Sequence, residues 1–260
     1  MRAHAVELTF TPSEGPIRLR ELRGRDEQAV TDRSTGTAID LLDAVVVGAP
    51  EGGAAALTAC DRDRLLAAVY ASTFGRRVES TLSCRRCEAA FDVEFDIHEL
   101  VATASPPQVL RRSRRVDETM LQLPDGRRLR VPTGEDELAV EGLPPEGAER
   151  ALLERCLVDG HDGGPRGELE AALEEAAPVL DRTLDALCPE CSEEQELRFD
   201  IQSYLLGALL QEQERLDRDV HRLARAYAWT LPDILDLPRS RRRAYVALVD
   251  SELGAREVAM

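Results

Sequence analysis

Two short cysteine pairs constrain this 260-residue chain more than any other feature of its sequence. The pairs are Cys84-Arg-Arg-Cys87 and Cys188-Pro-Glu-Cys191. Each pair presents two sulfurs to one point, and two such pairs complete the tetrahedral four-sulfur set that zinc favours. We therefore predict one structural zinc per chain, bound by all four cysteines. Because protein ligands fill every position, such a metal stabilises the fold and does not activate water.

The cysteine pairs belong to a short internal repeat. At an offset of 104 residues Cys84 aligns with Cys188, and Phe95-Asp96-Ile97 aligns with residues 199–201. Each copy reads Cys-x-x-Cys, seven residues, then Phe-Asp-Ile, which predicts a zinc knuckle in the turn of a β-hairpin. About 15–20 residues usually separate the pairs of a zinc ribbon. We therefore interpret the much longer middle section as an insertion that leaves one knuckle and returns to the other.

Apolar periodicity predicts the strands of the chain. The alternation of His4, Val6, Leu8 and Phe10 predicts a first strand, which a turn at 12–16 ends. Ile17–Leu22 is predicted as a second short strand after this turn. The other predicted strands flank the first cysteine pair or form a hairpin on Asp125-Gly126; they are Val78–Leu82, Phe91–Ile97, Met120–Leu123 and Arg127–Val131.

Helical spacing predicts the remaining elements. Thr58 caps a helix that Gly75 ends, and the chain is predicted to be helical from Ile201 onward, with Thr230 and Asp233 forming a second capping box. The other predicted helices are Asp26–Val30, Glu146–Val158 and Gly167–Leu187, with a Gly-rich loop at Gly160–Gly167 and either helix or strand at Ile39–Val47. The expected fold class is α+β and mainly helical.

We predict three parts along the chain. Residues 1–100 form an N-terminal α+β part with the first knuckle, and residues 101–182 form the inserted hairpin and helices. Residues 183–260 carry the second knuckle and a helical C-terminal region. Cys60 and Cys156 lie on predicted helix faces, so we expect them in the core and not at the metal.

The net charge and the absence of known catalytic motifs limit the classes of function that we expect for this protein. The formal net charge is −16 and all 33 basic residues are arginine, so we expect no general attraction to nucleic acid. No zinc-protease, nucleophile-elbow, Walker or dinucleotide-binding motif occurs, which predicts a non-enzymatic protein without a small-molecule substrate. We expect no signal peptide, no membrane span and a reducing, cytoplasmic location, where paired cysteines favour metal over disulfide.

A zinc-ribbon regulator that binds nucleic acid is the alternative interpretation. Arg85 and Arg86 lie between the first two cysteines, and Arg76 and Arg77 lie nearby. The global negative charge and the acidic sequence of the second knuckle oppose this interpretation. His98 follows the first Phe-Asp-Ile, but Gln202 stands at the matching position, so we do not expect His98 to bind the metal.

The C-terminal stretch resembles baseplate proteins of contractile-tail phages and phage-tail-like contractile injection systems. The pattern is a Val-His pair, a Tyr-x-Trp, an Ile-Leu-x-Leu-Pro, then arginines and a tyrosine. Its residues here are Val220, His221, Tyr227, Trp229, Ile234, Leu235, Leu237, Pro238, Arg239, Arg242, Arg243 and Tyr245. The stretch from Asp63 to Cys87, with its helix and first cysteine pair, looks similar too.

The resemblance implies a hub-type baseplate component or assembly factor that takes part in virion assembly and binds neighbouring baseplate or tail proteins. The residues Arg239-Ser-Arg-Arg-Arg243 form the sharpest basic cluster, which is either an exposed helix start or a contact with an acidic partner. The candidate partner-binding residues are Trp229, Arg239, Arg241, Arg242, Arg243 and Tyr245.

Overall fold

A computed structural model describes residues 4–10, 15–48, 50–159 and 165–258. The first half of the chain contains β1 (His4–Val6), β2 (Ile17–Leu19), α1 (Gly24–Ala29), α2 (Thr35–Val45), β3 (Val46–Val47), a 3₁₀ turn (Gly53–Ala56), α3 (Ala59–Phe74), β4 (Arg77–Ser83), β5 (Ala90–Asp96) and α4 (Ile97–Thr103). The second half contains β6 (Arg114–Arg115), β7 (Met120–Gln122), β8 (Arg128–Arg130), α5 (Gly134–Val140), α6 (Pro145–Cys156), β9 (Leu157–Asp159), α7 (Arg166–Ala176), β10 (Asp181–Leu187), β11 (Glu194–Asp200) and α8 (Ile201–Gln211). The C-terminal helices are α9 (Gln213–Tyr227), α10 (Leu231–Leu235) and α11 (Arg239–Val258).

The predicted mixture of helix and sheet is confirmed. Helix α3 begins after Thr58, whose hydroxyl accepts the backbone N–H of Asp61, and it ends at Gly75 with a φ of 99°. The chain is helical after β11, and Thr230 caps α10 as predicted. The turn predicted at 12–16 and the loop predicted at 160–167 lie largely outside the described residues.

The helix predicted over Gly167–Leu187 is wrong in its second part. Helix α7 ends at Ala176, and β10 then pairs with β11 in antiparallel register from Asp181↔Asp200 to Leu187↔Glu194. Pro178 lacks a backbone N–H donor and disfavours continued helix. Burial along β10 alternates with a period of two, which suits a strand with one covered face.

The second half repeats the first half element by element. Strands β1-β2-β3 form an antiparallel sheet, and β7-β8-β9 form its counterpart with β6 added at one edge. Two helices, the third strand, another helix, a hairpin and a final helix follow in the same order in each half. At an offset of 110 residues, eight of the fourteen positions in 17–30 are identical to those in 127–140. We therefore describe the middle section as the start of this second half rather than as an insertion.

Two large apolar cores each combine residues of both halves. The larger core joins α2 and α3 to α8, and the smaller one joins β7 and β8 to α6 and α7. Cys60 and Cys156 are buried, as predicted for core residues. Burial raises the pKa of Cys60 to about 12 and that of Cys156 to about 11, so both stay thiols at neutral pH.

Each half carries the same helix-docking site, at residues 19–27 and residues 129–137. In the first site Arg20 donates to Asp26 at 2.6 Å, and Glu27 binds the buried Arg242 of α11 at 2.9 Å. The second site makes the corresponding contacts: Arg130 donates to Asp136 at 2.6 Å, and Glu137 binds Arg62 of α3 at 2.7 Å. The two incoming arginines differ by 180 in residue number.

Backbone contacts match between the docking sites as well. Arg239 donates its N–H to the carbonyl of Leu22 at 2.8 Å, and Ala59 donates to Pro132 at 3.0 Å. Both incoming segments add an isolated antiparallel bridge to the site. Helix α11 thus occupies on the first half the position that α3 occupies on the second half.

Candidate metal centre

Two β-hairpins bring the four cysteines together. β4 pairs with β5, β10 pairs with β11, and one cysteine pair lies in each connecting turn. The sulfurs of Cys84 and Cys191 are 3.6 Å apart, and those of Cys87 and Cys188 are 3.7 Å apart. All four sulfurs lie within 4.8 Å of one another. Tetrahedral zinc with bonds of about 2.3 Å requires sulfurs about 3.8 Å apart, so the cluster fits such an ion.

The two turns have the same backbone conformation. Cys84 donates its N–H to Ala89 at 2.9 Å, and Cys188 donates to Glu193 at 3.0 Å. Glu88 and Ser192 have φ values of 60° and 57°. This left-handed conformation is uncommon outside glycine, and it recurs here at equivalent positions after the second cysteine of each pair. The short turns therefore direct both sulfurs of a pair toward one point.

The hairpin repeat continues beyond the cysteines. Asp96 caps α4 and Asp200 caps α8, each by accepting backbone N–H groups of the first helical turn. The rings of Phe95 and Phe199 meet edge to face with centroids 4.9 Å apart. These equivalent phenylalanines pack the two hairpins together at the end away from the cysteines, within the larger core. Beside the cysteines themselves, Phe91 and Ala186 pack with Cys84 and Cys188.

The protein environment favours one thiolate in the cluster before any cation binds. Backbone N–H groups of Cys87 and Arg86 donate to the sulfur of Cys84 and lower its pKa to about 6. The N–H of Glu193 lowers the pKa of Cys191, but burial and hydrogen bonds with the other three thiols outweigh it and raise that pKa to about 12. A bound cation is the species that stabilises four thiolates at this spacing.

The metal centre is partly shielded from solvent. Cys84 and Cys188 are buried and Cys191 is half-buried, whereas Cys87 is exposed. The hairpins are also joined by polar contacts, because Gln195 accepts the N–H of Arg85 at 3.1 Å. All four cysteines and this contact therefore come from the two hairpins.

The arginines near the first knuckle bind carboxylates of the chain itself. Arg86 pairs with Glu193 at 3.3 Å, and Arg76 pairs with Asp96 at 2.8 Å. Arg77 forms ion pairs with Glu79 and Glu94. These contacts engage Arg76, Arg77 and Arg86, whereas Arg85 is exposed and forms no ion pair with a described residue. The nucleic-acid alternative stays a prediction.

The candidate partner-binding residues divide into two groups. Arg239 and Arg242 are buried, where Glu27 binds both guanidinium groups. Neither reaches the surface, so the exposed basic cluster that we expected at 239–243 is reduced to two residues. Sequence reasoning missed that this cluster supplies an internal docking arginine. The 110-residue repeat around Glu27 and Glu137 is the signal that could have found it.

The other candidates lie at the end of the C-terminal helices. Trp229 stacks on Tyr227 with centroids 4.7 Å apart and meets Tyr245 edge to face. Arg241 is exposed above the Tyr245 ring, and Arg243 pairs with Glu212 at 2.8 Å. Partner binding by Trp229, Arg241, Arg243 and Tyr245 stays a prediction.

Two further observations concern other potential metal ligands and the length of the helices. Among residues 4–10, 15–48, 50–159 and 165–258, the four cysteines form the only group of three or more potential metal ligands. His98 is exposed and is not part of it. No helix within these same ranges has both the length and the apolar character that crossing a membrane requires.

Comparison with known proteins bears on the predicted resemblance. No protein-family model, curated protein or solved structure matches this chain. The likeness of the C-terminal stretch to baseplate proteins therefore stays a prediction, and the geometry of the cysteine cluster is the firmest basis for a functional assignment.

Proposed function

We propose that the cysteine cluster binds one zinc ion and that this zinc is structural. The observation that supports the proposal is the closure of the site, because four sulfurs at tetrahedral spacing supply every ligand that zinc requires. Each half of the chain contributes one pair. The ion therefore acts as a cross-link between the halves, and its binding free energy adds to the stability of the folded chain.

We further propose that the protein is a non-enzymatic structural or assembly component of a phage baseplate or phage-tail-like contractile injection system. The resemblance of residues 220–245 supports this assignment. Leu223, Ile234 and Val246 pack together in this region, and Trp229 and Tyr245 pack beside them. Of the pattern residues, Ile234 belongs to this buried cluster, and Val220, Tyr227, Trp229, Leu237 and Tyr245 pack against it. Part of the pattern thus contributes to the packing of α9, α10 and α11.

Metal analysis of the purified chain tests the first proposal. We expect one zinc per chain by elemental analysis and the joint release of four thiols on chelation. The Cys156→Ala variant is the matched control, because its thiol is buried outside the four-cysteine cluster and its removal should leave the zinc content unchanged. A chain without zinc, or with two thiols released per ion, would contradict the four-cysteine site.

Assembly tests the second proposal. The chain should copurify with tail or baseplate proteins encoded in the same gene cluster, and its deletion should reduce the yield of complete particles. A Cys188→Ser strain should show the same defect if the zinc-linked fold is required. Normal particles from the deletion strain, with no copurifying tail protein, would exclude the assembly role but not the zinc site.

A further inference from the structure

Four exposed arginines surround a buried serine where the two halves join. Residues 111–115 read Arg-Arg-Ser-Arg-Arg, and we call the side chains of Arg111, Arg112, Arg114 and Arg115 the arginine ridge. All four are exposed, whereas Ser113 is only 8 % exposed. The ridge is thus a concentrated positive surface on a chain whose net charge is −16.

The ridge arginines differ from the buried arginines of the docking sites. Within the described part of the chain, no carboxylate forms a close ion pair with any ridge guanidinium group. Arg114 instead donates to the neutral amide of Gln122, and Arg115 lies 4.2 Å from the centroid of the Phe10 ring. The ridge therefore retains guanidinium donors for an external acceptor.

Glu175 fixes the backbone of the ridge. Its carboxylate accepts the backbone N–H of Arg112 at 2.9 Å and that of Arg111 at 3.0 Å. These two hydrogen bonds lower the pKa of Glu175, so it stays ionised and partly offsets the nearby positive charge. Among the described residues, however, Glu175 accepts only from the backbone N–H groups of Arg111 and Arg112. The guanidinium groups of both arginines remain able to donate to other acceptors.

Ser113 gives a second, independent indication of a ligand. Its hydroxyl is buried and makes no hydrogen bond within the described ranges. Burying a hydroxyl without a partner is unfavourable, and such groups commonly mark a ligand or water site. Ser113 lines two open clefts of about 390 and 480 Å³ that flank the ridge.

We propose that the arginine ridge binds a carboxylate-rich segment of a partner protein. Guanidinium groups match carboxylates in bidentate geometry, and the Ser113 hydroxyl can donate to a further carboxylate oxygen. The larger cleft is lined by Pro106, Pro107 and Val109, of which Val109 is 77 % exposed. The partner segment therefore carries apolar side chains next to its acidic ones.

The same clefts disfavour nucleic acid as the occupant. Proteins that bind single strands usually provide aromatic side chains on which bases stack, and none of the described residues that line either cleft is aromatic. The negative charge of the whole chain also opposes a long polyanion. This choice of a protein partner agrees with the proposed assembly role and rests on it in part.

Peptide binding to the full, zinc-loaded chain tests the inference. The probe is a fluorescein-labelled peptide of alternating glutamate and leucine, compared with its glutamine analogue and with an oligothymidylate of equal charge. Fluorescence anisotropy should show binding of the acidic peptide that weakens with salt. The glutamine analogue should bind at least tenfold more weakly. Tighter binding of the oligothymidylate would overturn the choice of a protein partner.

Variants locate the binding site. Arg111→Ala with Arg112→Ala should weaken peptide binding on the order of tenfold, and Ser113→Ala should weaken it severalfold without loss of thermal stability. The matched control combines Arg218→Ala with Arg225→Ala, which removes two exposed arginines of α9. Equal affinity in the ridge and control variants would overturn the site. Unchanged zinc content in the ridge variant shows that the metal centre is intact. Copurification of the parent chain with tail or baseplate proteins tests the assembly role separately, so the two failures can be told apart.

Discussion

Asp63 is a buried acid at the junction of the two halves. It lies on α3, is 5 % exposed, and accepts the backbone N–H of Leu180 at 2.8 Å. Burial raises its pKa from an ordinary 3.8 to about 7, although the charge of neighbouring Arg62 opposes the shift. The folded chain therefore holds a proton on Asp63 at a pH where the unfolded chain has lost it.

This raised pKa predicts the direction of a pH effect. Between pH 4 and 7 the folded state binds one more proton than the unfolded state, so Asp63 makes the free energy of unfolding fall as pH rises. The stabilising contribution is complete below pH 4 and is lost above about pH 7. We expect Asp63→Asn to reduce the decrease in the free energy of unfolding with rising pH, as measured by urea unfolding from pH 4 to 8.

Asp32 provides the control for this measurement. Hydrogen bonds from Ser34 and Thr37 lower its pKa to about 2, so its own contribution changes only below pH 4. Asp32→Asn should leave the slope between pH 4 and 7 as in the parent chain. If Asp63→Asn also leaves the slope unchanged, Asp63 does not carry the predicted proton.

At the level of the secondary-structure elements, the two docking sites predict a large cost for losing their arginines. Arg242 and Glu27 are both almost fully buried, so Arg242→Ala removes one of the two guanidinium groups that bind Glu27 and leaves only Arg239. Breaking a buried ion pair costs about 3–5 kcal/mol, and because Arg239 still binds Glu27 we expect a loss near the lower end of this range. Arg62→Ala should cost less, because Glu137 is 24 % exposed. Denaturant unfolding of both variants measures the difference.

A double-mutant cycle separates the ion pair from general packing. Glu27→Gln combined with Arg242→Met replaces both charges, and we expect this pair of changes to cost less than the sum of the single ones. Additive costs would show that Glu27 and Arg242 do not interact as the docking site requires.

A glycine at the first residue of α1 and of α5 lets another segment of the chain approach closely. A Cβ at Gly24 would lie 3.0 Å from a side-chain carbon of Leu235, and one at Gly134 would lie 3.0 Å from the carbonyl oxygen of Ala55. Either Gly→Ala change should lower the free energy of unfolding by about 1–3 kcal/mol, since the segment that carries Leu235 or Ala55 has to move away from the new Cβ. Thermal unfolding measures this loss.

Gly167 is the matched control for these glycines. It lies in the first turn of α7, and a Cβ there meets nothing within 4 Å. Alanine favours helix over glycine by up to about 1 kcal/mol, so Gly167→Ala should be neutral or stabilising. A loss as large as that at Gly24 would contradict the close-approach explanation.

At the level of the whole molecule, the proposed zinc would cross-link cysteine pairs about 100 residues apart along the chain. A cross-link of that span restricts the unfolded chain by about 4–5 kcal/mol in the loop-entropy description. We expect Cys188→Ser to lower the unfolding free energy by at least that amount, and chelation of the parent chain to have the same effect. Equal unfolding midpoints with and without chelator would contradict the cross-link.

Local sequence signals predicted much of the fold. The cap at Thr58, the Asp125-Gly126 turn and the spacing of the cysteine pairs are each decided within a few residues. The helix predicted through β10 failed because residues 181–187 are strand only by pairing with β11. The intrinsic structural preference of residues 181–187 does not specify this pairing, because the partner strand lies outside the short stretch of sequence from which the helix was predicted.

The sequence by itself determined the four-cysteine centre, because two Cys-x-x-Cys turns and zinc coordination leave few other arrangements. The tertiary structure alone decided the position of the C-terminal helices and the roles of their arginines. Arg241 and Arg242 are neighbours in the sequence, yet one is exposed and the other is buried. Burial depends on the helix face that meets Glu27, more than 200 residues away along the chain, and a charge cluster does not specify that contact.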